Sequence, residues 1–295
     1  MSLTLFGKNI IRLFKFDLKY FYKNIRKYEH MDLMLDNLKY EIADEVKTIK
    51  LPKVLGPLDS IKEIIRTKKS VARFGDGEFN LILGNGIGFQ EFDPKLQARL
   101  KEVLTSQDEN MLIGISDRFG SLDNLELNVR NYWRDFLGKY RQDIYKMLDF
   151  NRTYIDTHIT AFGIEMVDHT TEEARAASEE YYNEVRKIWD GQDITVIKGA
   201  DNEKFENNIY DNAKSVSYIY GPKAHAFREY DRIFEEAKKL PKDRLILIVL
   251  GPTAKPLAYD LTKLGYRALD LGHMAKAYEW LKTRDKIVAG QFFAA

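Results

Sequence analysis

The sequence contains no cysteine. A disulfide framework, a thiolate metal centre and a cysteine nucleophile are all excluded, and a reducing compartment fits. No apolar run approaches the length needed to span a membrane. The N-terminal stretch also has no unbroken apolar core of the kind a secretory signal carries, so a cytoplasmic location is expected. An excess of one charge is absent as well: the net charge is +1 over 295 residues, which gives no general attraction to nucleic acid. Internal repeats and low-complexity segments are missing. What remains is 44% hydrophobic and 31% charged, the make-up of a soluble globular chain long enough to bury a sizeable core. A boundary near residue 50 is expected, with a helical extension over 1–50 and a larger domain over 51–295.

Within the first 30 residues, seven basic side chains stand against Asp17 and Glu29. Lys8, Arg12, Lys15, Lys19, Lys23 and Arg26 recur at helical spacing, with Phe14, Phe16, Phe21 and Tyr22 among the apolar residues between them. A basic amphipathic helix over 8–28 can pack on the domain with its charged stripe solvated, or lie peripherally on an anionic membrane face. Both readings stay open.

Further on, pattern and caps alternate between strand and helix. Ser70–Phe74 and Met111–Ile115 read as short strands, and Thr153–Phe162 as a longer one. Asp93-Pro94 is an N-cap followed by proline at the first helical position. Leu122, Leu125, Val129, Tyr132, Trp133 and Phe136 have helical spacing and read as core. Thr170 and Glu173 suggest a capping box for a helix reaching Trp189. Asp193–Ile197 and Ser215–Tyr220 are further strands, and Ala224–Leu240 a helix. Leu245–Leu250 is continuously apolar, as in a strand buried on both faces. It leads through Gly251-Pro252-Thr253 into a helix over Ala254–Leu264, a strand over Tyr266–Leu271, and a last helix to about Lys282. This βαβ unit and the alternation before it predict an α/β fold: a Rossmann-like, mostly parallel sheet with helices on both faces.

In such sheets ligands bind beyond the carboxyl ends of the strands. Three turns qualify. In Arg73-Phe74-Gly75-Asp76-Gly77-Glu78, two carboxylates two residues apart share one side if the backbone is extended. Gly75 and Gly77 permit positive φ and close approach of a ligand, and Arg73 offers a fork suited to phosphate. Oxygen ligands beside phosphate-sized space suit a divalent cation on a diphosphate; a solvated turn is the plain alternative. In Gly251-Pro252-Thr253, the start of the next helix can receive phosphate oxygens, or the turn is simply tight. His273 can complete a metal shell or cap its helix. Glu279 can serve as a base, contact the ligand, or be solvated. The absence of G-x-G-x-x-G at the 251 turn counts against a dehydrogenase.

The run Arg73 to Asn80, then Gly84 to Phe89, Leu96 and Leu100, resembles the GT-D-type bacterial glycosyltransferases, which carry an Asp-x-Glu metal motif in this position. So do Gly251-Pro252-Thr253-Ala254, Leu257 to Leu261, Leu269 to His273 and Tyr278-Glu279-Trp280. The resemblance implies that Asp76 and Glu78 are the catalytic acids that hold a metal. Beside it, the chemistry of the residues makes His273 a candidate third metal ligand and Glu279 a candidate catalytic group, with Arg73, Gly75, Gly77, Gly251, Thr253 and His273 as candidate donor contacts. The resemblance further implies Mn²⁺ (or Mg²⁺), a UDP-sugar donor, and transfer of a hexose such as glucose to a bacterial surface glycan or glycoprotein. The family often has an acidic residue and glycine after the middle strand, followed by an arginine and Asn-Asp-Leu-Phe; this chain has Lys198-Gly199, no such arginine, and Asn207-Asn208-Ile209-Tyr210. A nucleotide-sugar hydrolase and a non-catalytic sugar-binding module therefore stay open beside the transferase.

Overall fold

The computed structural model describes residues 50–164, 171–200 and 209–283, together with helical residues between 25 and 38. The chain divides into two compact units, Met1–Lys50 and Leu51–Ala295. Most of the basic stripe over 8–28, and Thr170, Asn207 and Asn208, lie outside the described residues. Among the described residues no helix is long and apolar enough to cross a membrane.

The larger unit is built on one eight-stranded sheet in which every paired strand is parallel. Its strands are β1 (Lys53–Val54), β2 (Ser70–Phe74), β3 (Met111–Ile115), β4 (Thr153–Asp156), β5 (Asp193–Gly199), β6 (Ser215–Gly221), β7 (Leu245–Val249) and β8 (Ala268–Asp270). Their spatial order is β1-β4-β3-β2-β8-β7-β5-β6. The helices are α1 (Pro57–Thr67), α2 (Asp76–Ile82), α3 (Pro94–Thr105), α4 (Leu127–Tyr145), α5 (Glu172–Arg186), α6 (Tyr230–Ala237), α7 (Ala254–Lys263) and α8 (Met274–Thr283).

Strand side chains alternate between two cores. Ala72, Phe74, Ile113, Ile115, Ile246 and Ile248 meet α2, α3, α4, α6 and α7 on one face. Val71, Ile155, Val196, Leu245, Leu247 and Leu269 meet α1, α5 and α8 on the other. Both faces are covered, so the strands need apolar side chains on both sides, and β2 is buried at every residue.

One helix start falls where expected, and several other boundaries differ for local reasons. The Asp93 carboxylate accepts from the Lys95 and Leu96 N–H groups, as its place before Pro94 predicts. The cap of α5 is Thr171, whose hydroxyl accepts from Ala174 N–H. The strand expected over Thr153–Phe162 stops at Asp156. There the carboxylate accepts from His158 N–H and turns the chain into a 3-10 turn over Thr157–Thr160. The helix expected over Ala224–Leu240 is a 3-10 turn at Ala226–Glu229 followed by α6.

Candidate active site

The sheet reverses its winding between β2 and β8. Leaving β2, the chain enters α2 and α3 on one face; leaving β8, it enters α8 on the other. The parting of these two connections opens a crevice at the carboxyl ends of the strands. The 75–78 turn and the 272–273 turn flank it directly, and β7 brings the 251–253 turn alongside β8.

Asp76 and Glu78 lie in the first turn of α2, not in an extended turn. At 100° per residue they diverge around the helix, so the expected shared side is not formed. Gly75 is the N-cap at φ −98°, ψ −168°. Neither Gly75 nor Gly77 has positive φ, so left-handed backbone is not the reason for glycine here. The Glu78 carboxylate accepts from Gly75 N–H at 2.9 Å through Oε2. Its Oε1 lies 2.6 Å from Lys255 Nζ, near the start of α7. Asp76 Oδ2 accepts from the Tyr132 hydroxyl of α4 at 2.5 Å. Two acids in the first turn also meet the positive end of the helix dipole.

Beneath the turn runs a buried ladder of charges. Lys255 Nζ also reaches Asp270 Oδ2 at 3.1 Å, and Asp270 Oδ1 reaches Arg73 Nη2 at 3.1 Å. Burial alone would raise the Asp270 carboxyl, but the charges of Arg73 and Lys255 outweigh it and hold the group below its usual value. Arg73 is only 8% exposed. Its Nε donates to Asp270 O, and its Nη1 to Thr157 O and Thr160 Oγ1. The fork expected to hold phosphate is thus committed to bracing β2, β8 and the 157–160 turn. Gly272, at φ +44°, lies so close that an added Cβ would sit 2.1 Å from Arg73 Nη2.

His273 stands immediately before α8, and its carbonyl accepts from Ala277 N–H at 2.9 Å. Surrounding protein, then the charges of Lys276, Arg73 and Lys255, push its imidazole below the ordinary value, while Glu78 pulls the other way. The ring is nonetheless exposed, so solvent softens that shift. His273 and Glu78 are therefore within electrostatic reach, and the imidazole is neutral at physiological pH. Glu279 sits half-buried further along α8. At the 251–253 turn, Ala254 N–H is already bonded to the Gly251 and Pro252 carbonyls, so the anion-facing end of this helix is the turn itself. Thr253 is wholly buried, and its Oγ1 has no hydrogen-bond partner among the described residues. Gly251, at φ +52°, has the half-exposed ring of Phe89 3.0 Å from where a Cβ would lie.

A second group of polar residues lies at the ends of β3 and β4, the next strands along the sheet. One potential ligand atom each from Asp117, Asp156 and His158 falls within 4.8 Å of the others. Among the described residues Asp76, Glu78 and His273 do not form so tight a cluster. Ser116 Oγ lies 2.9 Å from His158 Nε2, and Trp133 packs edge-on to the same imidazole. Burial first, and then the neighbouring Asp117 carboxylate, push Asp156 up to about 7.

The comparisons with known proteins agree on what kind of domain this is. A family model described as "Glycosyltransferase GT-D fold" matches residues 71–290. The chain belongs to the GT-D glycosyltransferase family. It is 35% identical over 233 residues to "Probable glycosyl transferase Gly" of Streptococcus gordonii, covering 78% of this chain and 33% of that protein. It is 30% identical over 258 residues to "Glycosyltransferase GlyD" of Streptococcus pneumoniae serotype 4 (strain ATCC BAA-334 / TIGR4), covering 86% of this chain and 31% of that protein. The chain thus spans about a third of the length of these relatives. Among solved structures, it matches "The highly conserved domain of unknown function 1792 has a distinct glycosyltransferase fold" with a TM-score of 0.73 and 36% identity, covering 79% of this chain and 82% of that one. It matches "A New Glycosyltransferase (DUF1792) from Streptococcus sanguinis" with a TM-score of 0.73 and 32% identity, covering 79% and 86%.

Within the GT-D fold, Tyr132, Lys255, Asp270, Asp117, Asp156 and His158 escape sequence reasoning. Tyr132 has the helical spacing of a core residue yet is 46% exposed, with its hydroxyl on Asp76. Asp270 and Lys255 are separated from Arg73 and Glu78 by most of the chain. The signal that could have found the β3–β4 group is Ser116-Asp117-Arg118 and Asp156-Thr157-His158 ending two consecutive strand segments. Lys198, at the place where the family often has an acid, is buried with Nζ 4.8 Å from the Tyr218 ring centre and 5.5 Å from that of Tyr220.

Proposed function

We propose that this GT-D domain transfers a hexose such as glucose from a UDP-sugar to a hydroxyl of a bacterial surface glycan or glycoprotein, working on the cytoplasmic side with Mn²⁺ (or Mg²⁺). The observation that carries this reading is that the Asp76/Glu78 helix start and His273 border the crevice between β2 and β8 from its two sides, although their ligand atoms are not gathered into one tight cluster. Their chemistry fits a divalent cation: two carboxylates supply hard oxygens, and a neutral imidazole is a ligand that Mn²⁺ tolerates better than Mg²⁺. The unpartnered Thr253 hydroxyl fits a group that accepts a hydrogen bond, such as a phosphate oxygen.

Asp76, Glu78 and His273 would hold the cation, which supplies charge neutralisation for the diphosphate leaving group. Asp76 is oriented by Tyr132, and Glu78 by Gly75 and Lys255, so the acids are held before the substrate arrives. The 251–253 turn and Thr253 receive diphosphate oxygens, and Arg73 supports this surface from below. The exposed Tyr132 and Phe89 rings offer flat apolar faces beside the polar floor, suited to a sugar or base.

The test is a panel of nucleotide sugars with Mn²⁺, read by thermal shift and then by UDP release with and without glycan acceptors. Release that depends on the acceptor supports transfer. Equal release without acceptor would make the domain a hydrolase, and binding without release a sugar-binding module. Asp76→Ala and Glu78→Ala should each lower turnover by about 10²-fold or more; near-normal turnover in both would remove the site assignment.

A further inference from the structure

Both carboxylate oxygens of Glu78 are engaged by its own protein. One oxygen caps α2 through Gly75 N–H, and the other meets Lys255 Nζ at 2.6 Å. Lys255 is itself 3% exposed, and its ammonium also touches Asp270 Oδ2 and Gly251 O, each at 3.1 Å. Asp270 keeps a second cation in Arg73. Along the ladder Glu78–Lys255–Asp270–Arg73, two acids therefore alternate with two bases.

We propose that Lys255 is the positioning residue of the acidic turn, fixing the Glu78 carboxylate and setting how tightly the turn takes a divalent cation. This rests on the cation reading of Asp76 and Glu78 given above. The physical reason is competition for one carboxylate. A dication seated on Glu78 shares its oxygen with a buried ammonium, and two positive centres within a few ångströms repel strongly where water is excluded. Lys255 thus trades binding strength for geometry. It weakens the hold on the cation while keeping Glu78 aimed, and Asp270 and Arg73 keep Lys255 from leaving.

The opposing effects make the proposal testable without the sugar donor. Mn²⁺ binding is followed by electron paramagnetic resonance, in which free aqueous Mn²⁺ gives the signal that is lost on binding. In Lys255→Gln, Mn²⁺ should bind about tenfold more tightly than in the parent protein, while kcat for UDP release falls by about tenfold or more. In Lys255→Arg, which keeps the charge, the tightening of Mn²⁺ binding should be absent. A purely structural lysine would weaken binding and turnover together, so unchanged or weaker Mn²⁺ binding in Lys255→Gln overturns the proposal. If that variant does not melt cooperatively, Lys255→Met, which fills the same buried space without a polar head, is read in its place. Asp76→Asn separates the two levels of argument. Loss of Mn²⁺ binding there upholds the site, so that failure of the lysine variants falls on Lys255 alone. Unchanged Mn²⁺ binding in Asp76→Asn removes the cation reading and the proposal with it.

Discussion

The Tyr132 hydroxyl donates to Asp76 Oδ2 at 2.5 Å, joining the middle of α4 to the first turn of α2. Burial, followed by the Asp76 charge, raises the phenol above its ordinary value, so it remains a donor throughout the physiological range. Tyr132→Phe should leave the fold within about 1 kcal/mol of the parent, since the pair is partly solvated. At the proposed cation site, Mn²⁺ affinity should fall several-fold because Asp76 loses its guide. Urea melts and Mn²⁺ titration check the two halves separately.

Arg73 makes the opposite kind of contact, in the dry interior. Arg73→Ala leaves the buried Asp270 with Lys255 as its remaining cation and removes the donor to the Thr157 carbonyl and the Thr160 hydroxyl. A loss of about 3–5 kcal/mol in urea unfolding is expected. Arg73→Lys should recover only part of it, because one ammonium cannot replace a fork that serves three residues.

Two glycines separate backbone strain from collision. Gly265, at φ +84°, has nothing within 4 Å of an added Cβ, so Gly265→Ala should cost about 1–2 kcal/mol from left-handed backbone alone. Gly272→Ala adds a methyl group 2.1 Å from Arg73 Nη2 and should cost clearly more, and the shifted ladder should also weaken Mn²⁺ at the proposed site. Equal effects in the two variants would contradict the geometry.

Asp156 gives a pH signature. Its ordinary value is 3.8 and the folded value is about 7, so between these the unfolded chain loses the proton first. The contribution of this group to stability is therefore present below about pH 4, declines as pH rises, and is gone above about pH 7. Asp156→Asn should flatten that slope, gaining on the parent protein as pH increases. Urea midpoints measured from pH 4 to 8 check it.

The parts visible from sequence were those written in local pattern. Leu245–Leu250 announced a strand covered on both faces, and Asp93-Pro94 announced a helix start, because period and cap chemistry act over a few residues. The Asp76/Glu78 turn could be located but not shaped, since an extended and a helical exit from β2 use the same residues. The early end of β4 depended on one side chain, Asp156, capturing a backbone N–H two residues on. Tyr132 was misplaced because helical spacing identifies a stripe without showing where it emerges from the core. The Lys255–Glu78 and Asp270–Arg73 pairs join residues far apart in the chain, so no window of sequence contains both partners.

The parallel sheet also has a temporal consequence. Parallel neighbours need crossovers, and β8 must slide between β2 and β7 to finish the sheet. One wall of the crevice is synthesised early, at residues 73–78, and the other late, at 251–273. A growing chain therefore carries the acidic helix start long before Asp270 and His273 emerge to meet it, and the loop that must close is nearly the whole domain. Catalytic competence should appear as one of the last events of folding, tied to the insertion of a three-residue strand.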